Sequence, residues 1–433
     1  ADRAASPRRM SALFHRQWLL PLGVLLGYVL LLGINPVRHA LLDGLRSLRR
    51  YPRLWAIPAA LGLCYALFHA GLALFFYKVL PLEQQPAFGW RFSWYIPPWS
   101  SHLSETHTVR DWLAVLFADA HWRAYRDAGL DGLESLAGLF NGVNTFPVSA
   151  IAGLLLLLNW DDHHRTLRLA LRKRFGRWAW LVHAGILACA VSAVIAPILY
   201  GPSLIYLNRT APGLLLVRWS ALIDWLSSLF AYLFGVGVQV YLILIVYTWL
   251  RGLNWTALHL MDLAIRRFSF VVKWAAVVLV FSSLLIDLPR VSALLFRFDD
   301  PQFLDHILLY TDRIARPLLA LFLIFFSTMQ ITLTFHSESL RKAVAQHLQF
   351  LRRFWWQLGW YLFIAAVHLF GLALLNRTLL MGFGGDSTSA GLIWSFIHPL
   401  IAAFLAAWLL SAWVSLYKRC ETGRVQTPDW IPF

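Results

Sequence analysis

Leu351-Arg352-Arg353-Phe354-Trp355-Trp356-Gln357-Leu358-Gly359-Trp360 joins two kinds of helix and decides the fold. Before it, Leu340, Val344, Leu348 and Leu351 recur at helical spacing among Arg341, Lys342, Arg352 and Arg353, the pattern of a basic amphipathic helix. After it, residues 354–376 carry no Asp, Glu, Lys or Arg and are long enough to cross a hydrocarbon core of roughly 30 Å. Tryptophan favours the membrane–water interface, so Trp355 and Trp356 mark the point where the chain enters the bilayer. The same junction occurs three more times, at Arg53-Leu54-Trp55, Arg177-Trp178-Ala179-Trp180 and Lys273-Trp274. Each follows an apolar stripe flanked by arginines: Leu41/Leu45/Leu48, Leu167/Leu171/Phe175 and Leu258/Met261/Ile265/Phe268. Such stripes are expected to lie in the interface, apolar side chains among the acyl chains and cations at headgroup level.

The composition agrees. Of 433 residues, 59% are hydrophobic and 14% charged, which is too apolar for an ordinary soluble domain. The net charge of +16 raises the question of nucleic acid, and its distribution answers it. The four amphipathic segments and the C-terminal tail hold 22 Lys+Arg against 7 Asp+Glu, so nearly all of the excess lies on one side of the expected membrane. That asymmetry is the positive-inside rule at work and places those segments in the cytoplasm. The cations sit beside apolar spans rather than in a soluble basic domain, so the expected partners are anionic lipids, at about 1 kcal/mol per cation, and not nucleic acid. Cys64, Cys189 and Cys420 cannot form a disulfide framework.

The fold expected is an all-α polytopic membrane protein with about nine transmembrane helices, at 18–36, 54–77, 143–160, 178–200, 225–250, 270–290, 317–335, 354–376 and 391–417. Eight of them form four repeats of interfacial amphipathic helix plus transmembrane hairpin, a periodicity whose members bury their faces only by packing together. The divisions are 1–37 (N-terminal segment and first span), 38–160, 161–250, 251–335 and 336–417 (repeats one to four), and the cytoplasmic tail 418–433. Repeats one and four match in detail: Gly71-Leu72-Ala73-Leu74 parallels Gly371-Leu372-Ala373-Leu374. Nine spans put the N-terminus outside, although Arg8, Arg9 and Arg16 resemble the basic region of a signal sequence. Repeat one contains an outside insertion, 78–142, helical from about 109 to 139 and too small for an independent catalytic domain.

Candidate sites are few. His69, His183, His368 and His398 fall inside spans, where histidines on facing helices can ligate haem or a chlorophyll-type tetrapyrrole. The alternative is a neutral histidine bonded to a neighbouring helix. His102, Glu105 and His107 in the insertion are potential metal ligands, at a spacing that matches neither helical zinc-protease pattern. Arg49, Arg50, Arg53, Arg172, Arg177, Arg266, Arg267, Lys273, Arg352 and Arg353 are the expected lipid-headgroup contacts. Asp287 and Arg290, three residues apart near an outer helix end, together with Asp312, Arg313 and Arg316 make an outer polar cluster. No mid-depth carboxylate and no interrupted helix is read, features that ion-coupled carriers usually keep. Nor does the sequence assemble a catalytic constellation, so no residue nominates itself for enzymatic chemistry.

Leu45-Arg46-Ser47-Leu48-Arg49-Arg50-Tyr51-Pro52-Arg53-Leu54-Trp55 resembles the basic-aromatic junctions of uncharacterised bacterial membrane proteins related to the glycerophosphodiester phosphodiesterase membrane domain. The resemblance rests on architecture and these short junctions, and the outside insertion departs from it. It implies a bacterial inner membrane and lipid-facing amphipathic helices, and it transfers no functional residue. Of three functions the first is the one expected, and the other two are its alternatives. One is a non-catalytic integral membrane subunit or scaffold that binds lipids and partner proteins through its basic helices and outside insertion. The second is a permease or flippase-like transporter of a lipid or other amphipathic molecule. The third is a tetrapyrrole-binding subunit of an electron-transfer or light-harvesting complex.

Overall fold

Gly252 adopts a φ of 67°, a left-handed conformation that glycine takes without strain, and the helix before it ends there. Thr256 opens the next, its hydroxyl accepting the His259 N–H at 3.3 Å. Local signals of this kind punctuate the computed structural model, which describes residues 37–52, 54–56, 59–60, 63, 122–141, 160–185, 187, 215–253, 255–289, 291–292, 301–336, 339–383 and 388–422. The described residues contain helices and no strand. In chain order the helices are α1 (Val37–Arg50), α2 (Trp122–Asn141), α3 (Trp160–Phe175), α4 (Leu215–Arg251) and α5 (Ala257–Ser282). They continue with α6 (Pro301–Tyr310), α7 (Arg316–Phe325), α8 (Met329–Phe335), α9 (Leu340–Phe383) and α10 (Thr388–Thr422).

Among the described residues four stretches are long and apolar enough to cross a membrane: His259–Asp287, Arg313–Phe335, Leu340–Asn376 and Phe396–Cys420. They coincide with the expected spans 270–290, 317–335, 354–376 and 391–417. By length and composition the chain is therefore a membrane protein. Leu284, Leu321 and Phe363 stand exposed on these helices, as lipid-facing positions do. The apolar part of α4, Gly235–Arg251, is shorter. The expected spans 18–36 and 143–160 lie outside the described residues, as do most of 54–77 and 178–200.

At three of the four basic-tryptophan junctions the helix is interrupted. After α1 the chain turns through Tyr51 and Pro52, after α3 it passes Gly176 (φ 53°) into the 3₁₀ turn Gly176–Trp178, and α9 kinks at Phe354 (φ −126°, ψ 22°). Trp178 and Trp355 are exposed beyond those breaks, where interfacial anchors belong. The third junction differs. Helix α5 runs unbroken through Lys273-Trp274, and Trp274 is a buried core residue instead of an anchor.

The first amphipathic helix also departs from expectation. Helix α1 buries Val37, Ala40, Leu41, Gly44, Ser47 and Leu48, so protein covers Leu41 and Leu48 of the expected stripe, while Leu45 is exposed. The Trp408 indole donates to Leu41 O at 2.9 Å, and Asp43 accepts from Ser415 Oγ (2.8 Å) and from Arg419 (2.5 Å). Position rises along both helices together, so α1 lies beside α10 in parallel rather than across its end. Gly44 permits the approach: a Cβ there would meet Trp408 O at 2.9 Å and Ala412 N at 3.1 Å. Both are backbone atoms that cannot swing aside, so Gly44→Leu is expected to cost about 1–3 kcal/mol or more and to loosen α1 from α10. Faster proteolysis near residue 50 in the variant, at unchanged expression, is the readout. Helix α3 packs similarly, with Leu167, Ala170 and Leu171 turned inward against α5 and Arg165, Arg168, Arg172 and Lys173 outward.

Candidate functional site: a polar node at an interrupted span

The span Arg313–Phe335 is not one helix. Helix α7 stops at Phe325 and α8 starts at Met329, with Phe326-Ser327-Thr328 as a turn between them. Phe326 (φ −89°, ψ 27°) leaves the helical region and Thr328 (φ −92°, ψ −3°) lies at its edge. Neither hydroxyl of the turn bonds to the backbone: Thr328 Oγ1 pairs with the His347 ring, and Asn141 reaches the Leu323 carbonyl from another helix. The break corrects the expectation of an uninterrupted helix at 317–335.

An interrupted helix leaves backbone carbonyls without partners, and in an interior each needs a donor. The Leu323 carbonyl finds one in Asn141, whose Nδ2 donates to it at 3.0 Å and to Ala137 O at 3.1 Å. Asn141 Oδ1 in turn accepts the Trp274 indole N–H at 3.1 Å. One amide thus ties α2 to α7 and α5. Sequence patterning assigns residues 78–142 to the outside, but Trp122–Asn141 packs into the bundle against α7, α9 and α10. The register is legible from two contacts. Glu134 pairs with Arg316 (Nε–Oε1 2.5 Å, Nη2–Oε2 2.7 Å), and Asn141 meets Leu323, both 182 positions apart in sequence. The two helices therefore run parallel for about two turns. Against α9 the direction reverses, Gly132 facing Phe370 and Phe140 facing Tyr361. Ala128, Gly132, Leu136 and Phe140 recur every fourth residue and form the buried face.

Around the break the polar side chains are almost fully buried. Ser327, Thr328, Gln330, Thr332, Thr334 and His347 are each at most 1% exposed. Thr328 Oγ1 and His347 Nδ1 share a hydrogen bond of 2.5 Å, and the His347 ring packs on Phe325 and Phe326. Thr332 bonds to the Tyr417 hydroxyl at 3.0 Å. Below α8, Lys418 is buried with its Nζ 4.0 Å from the Phe335 ring centroid and 3.2 Å from His336 Nε2. That arrangement is a cation–π contact with the charge held off water. From α4, Gln239 Nε2 donates to Leu139 O at 2.6 Å, and Gln330 Nε2 reaches Val236 O at 3.5 Å.

The expected polar cluster is present in part. Arg316 takes Glu134 as its carboxylate partner, and Arg313 is exposed. Two π-helical segments, Ser283–Asp287 and Thr311–Ala315, pack against each other there. The Ser283 hydroxyl donates to Asp287 Oδ2 at 3.3 Å within the first of them. Single π turns often accompany functional sites in helices. Arg290 lies outside the described residues.

The histidines expected to hold a tetrapyrrole have separate surroundings. His368 Nδ1 lies 2.8 Å from Ile364 O of its own helix, with its ring edge-on to Trp408. His398 packs by Trp394. His183 lies in the helical stretch 179–185, and His69 is outside the described residues. His102, Glu105 and His107 are outside them too. Among the described residues no three of His, Cys, Asp and Glu gather as a metal site would require. Of the cations read as headgroup contacts, Arg49, Arg50, Arg172, Arg177, Arg266, Lys273, Arg352 and Arg353 are exposed, and Arg53 is not described. Arg267 is the exception. At 3% exposure, with its guanidinium over the Phe270 ring at 5.6 Å, it is interior and unavailable to a headgroup.

No family model matches this chain, and no curated protein or solved structure is similar to it.

Proposed function

We propose that the protein is a permease or flippase-like transporter of a lipid or other amphipathic molecule. The observation that carries the reading is the interruption of a membrane-spanning helix at Phe326–Thr328, with buried polar side chains gathered around it. Irregular backbone is tolerated at such a place where protein or a polar cavity covers it, and substrate sites of transporters are commonly built from half-helices. Lipid as the substrate class is supported by the exposed pairs of arginine and tryptophan at helix ends, Arg177 with Trp178 and Arg353 with Trp355. Those side chains suit an anionic headgroup and the interface beneath it. In this reading nine spans form four pseudo-symmetric repeats, and the basic ends face the cytoplasm of a bacterial inner membrane.

The test is reconstitution into liposomes with fluorescent phospholipids and a membrane-impermeant quencher outside. Wild-type protein should expose inner-leaflet label to the quencher faster than empty liposomes do, and Gln330→Leu should slow it at least tenfold. No movement of anionic, zwitterionic or single-chain lipids would sink the proposal.

A second reading has its own observation. Phe140 meets Trp413 and Tyr361 edge to face, centroids 5.1 and 6.2 Å apart, and the three rings fill the middle of the bundle. A filled centre suits a static scaffold that binds lipids and partner subunits. That reading expects stoichiometric additional subunits in native mass spectra of gently extracted protein, and it fails if a lone chain is recovered that moves lipid.

A further inference from the structure

Helix α3 turns its apolar stripe inward. Leu167, Ala170 and Leu171 are buried against α5, so the face left outside is the cationic one. Arg165, Arg168, Arg172, Lys173, Arg174 and Arg177 are all exposed, and among the described residues none of the six has a carboxylate partner. The two carboxylates of the helix, Asp161 and Asp162, stand in its first turn, ahead of every cation. The helix dipole accounts for cations in the last turn, Arg172, Lys173 and Arg174, but not for Arg165 and Arg168. Arg165, Arg172 and Lys173 lie three or four residues from Leu169, so they flank it on one face, and Leu169 is 59% exposed.

The other basic helices are neutralised or sparser. On α1, Asp43 sits among the cations, 3.7 Å from Arg46 and bonded to Arg419. On α5, Arg266 pairs with Asp262 at 2.8 Å and Arg267 is buried. Before the kink of α9 the cations stand as two pairs, Arg341 with Lys342 and Arg352 with Arg353, about three turns apart.

A dense cationic face calls for anions, and its surroundings say which. Trp178, Trp180 and Leu181 follow it directly and are exposed. The Arg177 guanidinium lies 5.6 Å from the Trp178 ring centroid, so cation and indole meet at the junction. Indoles favour the membrane interface, whereas a soluble acidic protein would leave three large apolar side chains uncovered. With Leu167 and Leu171 facing α5, the helix offers acyl chains little apolar surface. Its attraction is therefore to headgroup charge, and salt should screen it.

We propose that the outer face of α3 holds anionic phospholipid headgroups in preference to zwitterionic ones, with Arg165, Arg168, Arg172 and Lys173 as their contacts. This rests on the lipid reading above and gives that lipid a charge. Holding a headgroup needs no movement of lipid, so liposomes without transport would leave α3 its lipid. Failure here would leave transport to a lipid of other charge.

The experiment uses the full chain with Cys64, Cys189 and Cys420 replaced and a fluorophore on Leu169→Cys, in phosphatidylcholine vesicles. Spin-labelled phosphatidylglycerol should quench the fluorophore with a preference of about tenfold over spin-labelled phosphatidylcholine. Salt at about 1 M, where the Debye length is about 3 Å, should remove most of that preference. Arg165→Gln, Arg168→Gln, Arg172→Gln and Lys173→Gln together should bring it within about twofold of none, at an unchanged unfolding midpoint. The same fluorophore on Leu45→Cys of α1 should report a clearly smaller preference. Equal quenching by the two lipids at Leu169→Cys would overturn the proposal and leave the face to an acidic soluble protein. A preference that survives the four glutamines, or is as strong on α1, would overturn it as well.

Discussion

Asn141→Leu is expected to lower stability by about 2–5 kcal/mol, because leucine keeps the volume and removes an amide that serves three elements. In the variant the Trp274 N–H loses its Oδ1 acceptor and the Leu323 carbonyl loses its donor, both in a buried place. Each stranded group costs about 1–3 kcal/mol, since a buried group cannot turn to bulk water for a new partner as a surface group would. Helix α2 should then detach from the break, so the loss should be visible as a lower unfolding midpoint in detergent. It should also appear as new protease sensitivity between residues 122 and 141. Asn141→Asp gives the control for shape: the Trp274 bond survives, and the donors to Ala137 and Leu323 are lost. An unfolding midpoint within error of wild type for Asn141→Leu would mean that the amide is not the tie between α2, α5 and α7.

Phe140→Ala is expected to cost about 3–5 kcal/mol, the range for emptying a fully buried aromatic site. The ring is completely buried and lies edge to face with Tyr361 and Trp413, so its removal leaves a void bordered by two large rings and by the end of α2. Edge-to-face pairs contribute about 0.5–1.5 kcal/mol beyond the area they bury, and two such pairs would be lost. The comparison is Trp355→Ala. That indole is 62% exposed, so the same measurement in detergent should change little. If the two variants unfold alike, the centre of the bundle is not where the aromatic core lies.

Much of the helical plan could be read without coordinates, because hydrophobic run length and basic-aromatic punctuation are local properties. The breaks after Arg50, at Gly176 and at Phe354 fall where arginine, tryptophan and helix-breaking residues cluster. What escaped was whatever depends on a partner. Leu41 and Leu48 have the same spacing whether lipid or α10 covers them, and only the contacts of Gly44 and Trp408 tell the two apart. Trp274 fits either an interface or a core, and here Asn141 claims it. Asp131 and Glu134 lower the apparent hydrophobicity of α2 and make it look aqueous, yet Glu134 is matched by Arg316 from a distant stretch of chain.

The interrupted span escapes sequence reading for a similar reason. Phe326-Ser327-Thr328 holds neither glycine nor proline, and its hydroxyls are diluted by Phe325 and Met329 on either side. A weak local preference is decided there by donors that arrive from α2 and α9. The one signal available is the crowding of polar residues at Ser327, Thr328, Gln330, Thr332 and Thr334 in a span otherwise apolar.

The most direct test is whether α2 lies inside the bundle beside the broken helix. In a background lacking Cys64, Cys189 and Cys420, Gly132→Cys and Phe370→Cys are introduced together and the protein is oxidised in native membranes. A Cβ on Gly132 would lie 3.3 Å from Phe370 Cβ, just below the separation of about 3.5–4.5 Å that a disulfide requires, and 3.0 and 3.1 Å from the Phe370 Cα and N, backbone atoms that cannot swing aside. The two helices must part by a few tenths of an ångström to take the pair, so cross-linking clearly above the control pair is expected. Gly129→Cys with Phe370→Cys is the control, since a Cβ on Gly129 meets nothing within 4 Å. Cross-linking of the first pair and not the second places α2 in the bundle. Failure of the first pair to cross-link, with both introduced thiols labelled freely from outside, would contradict the architecture and the polar node built on it.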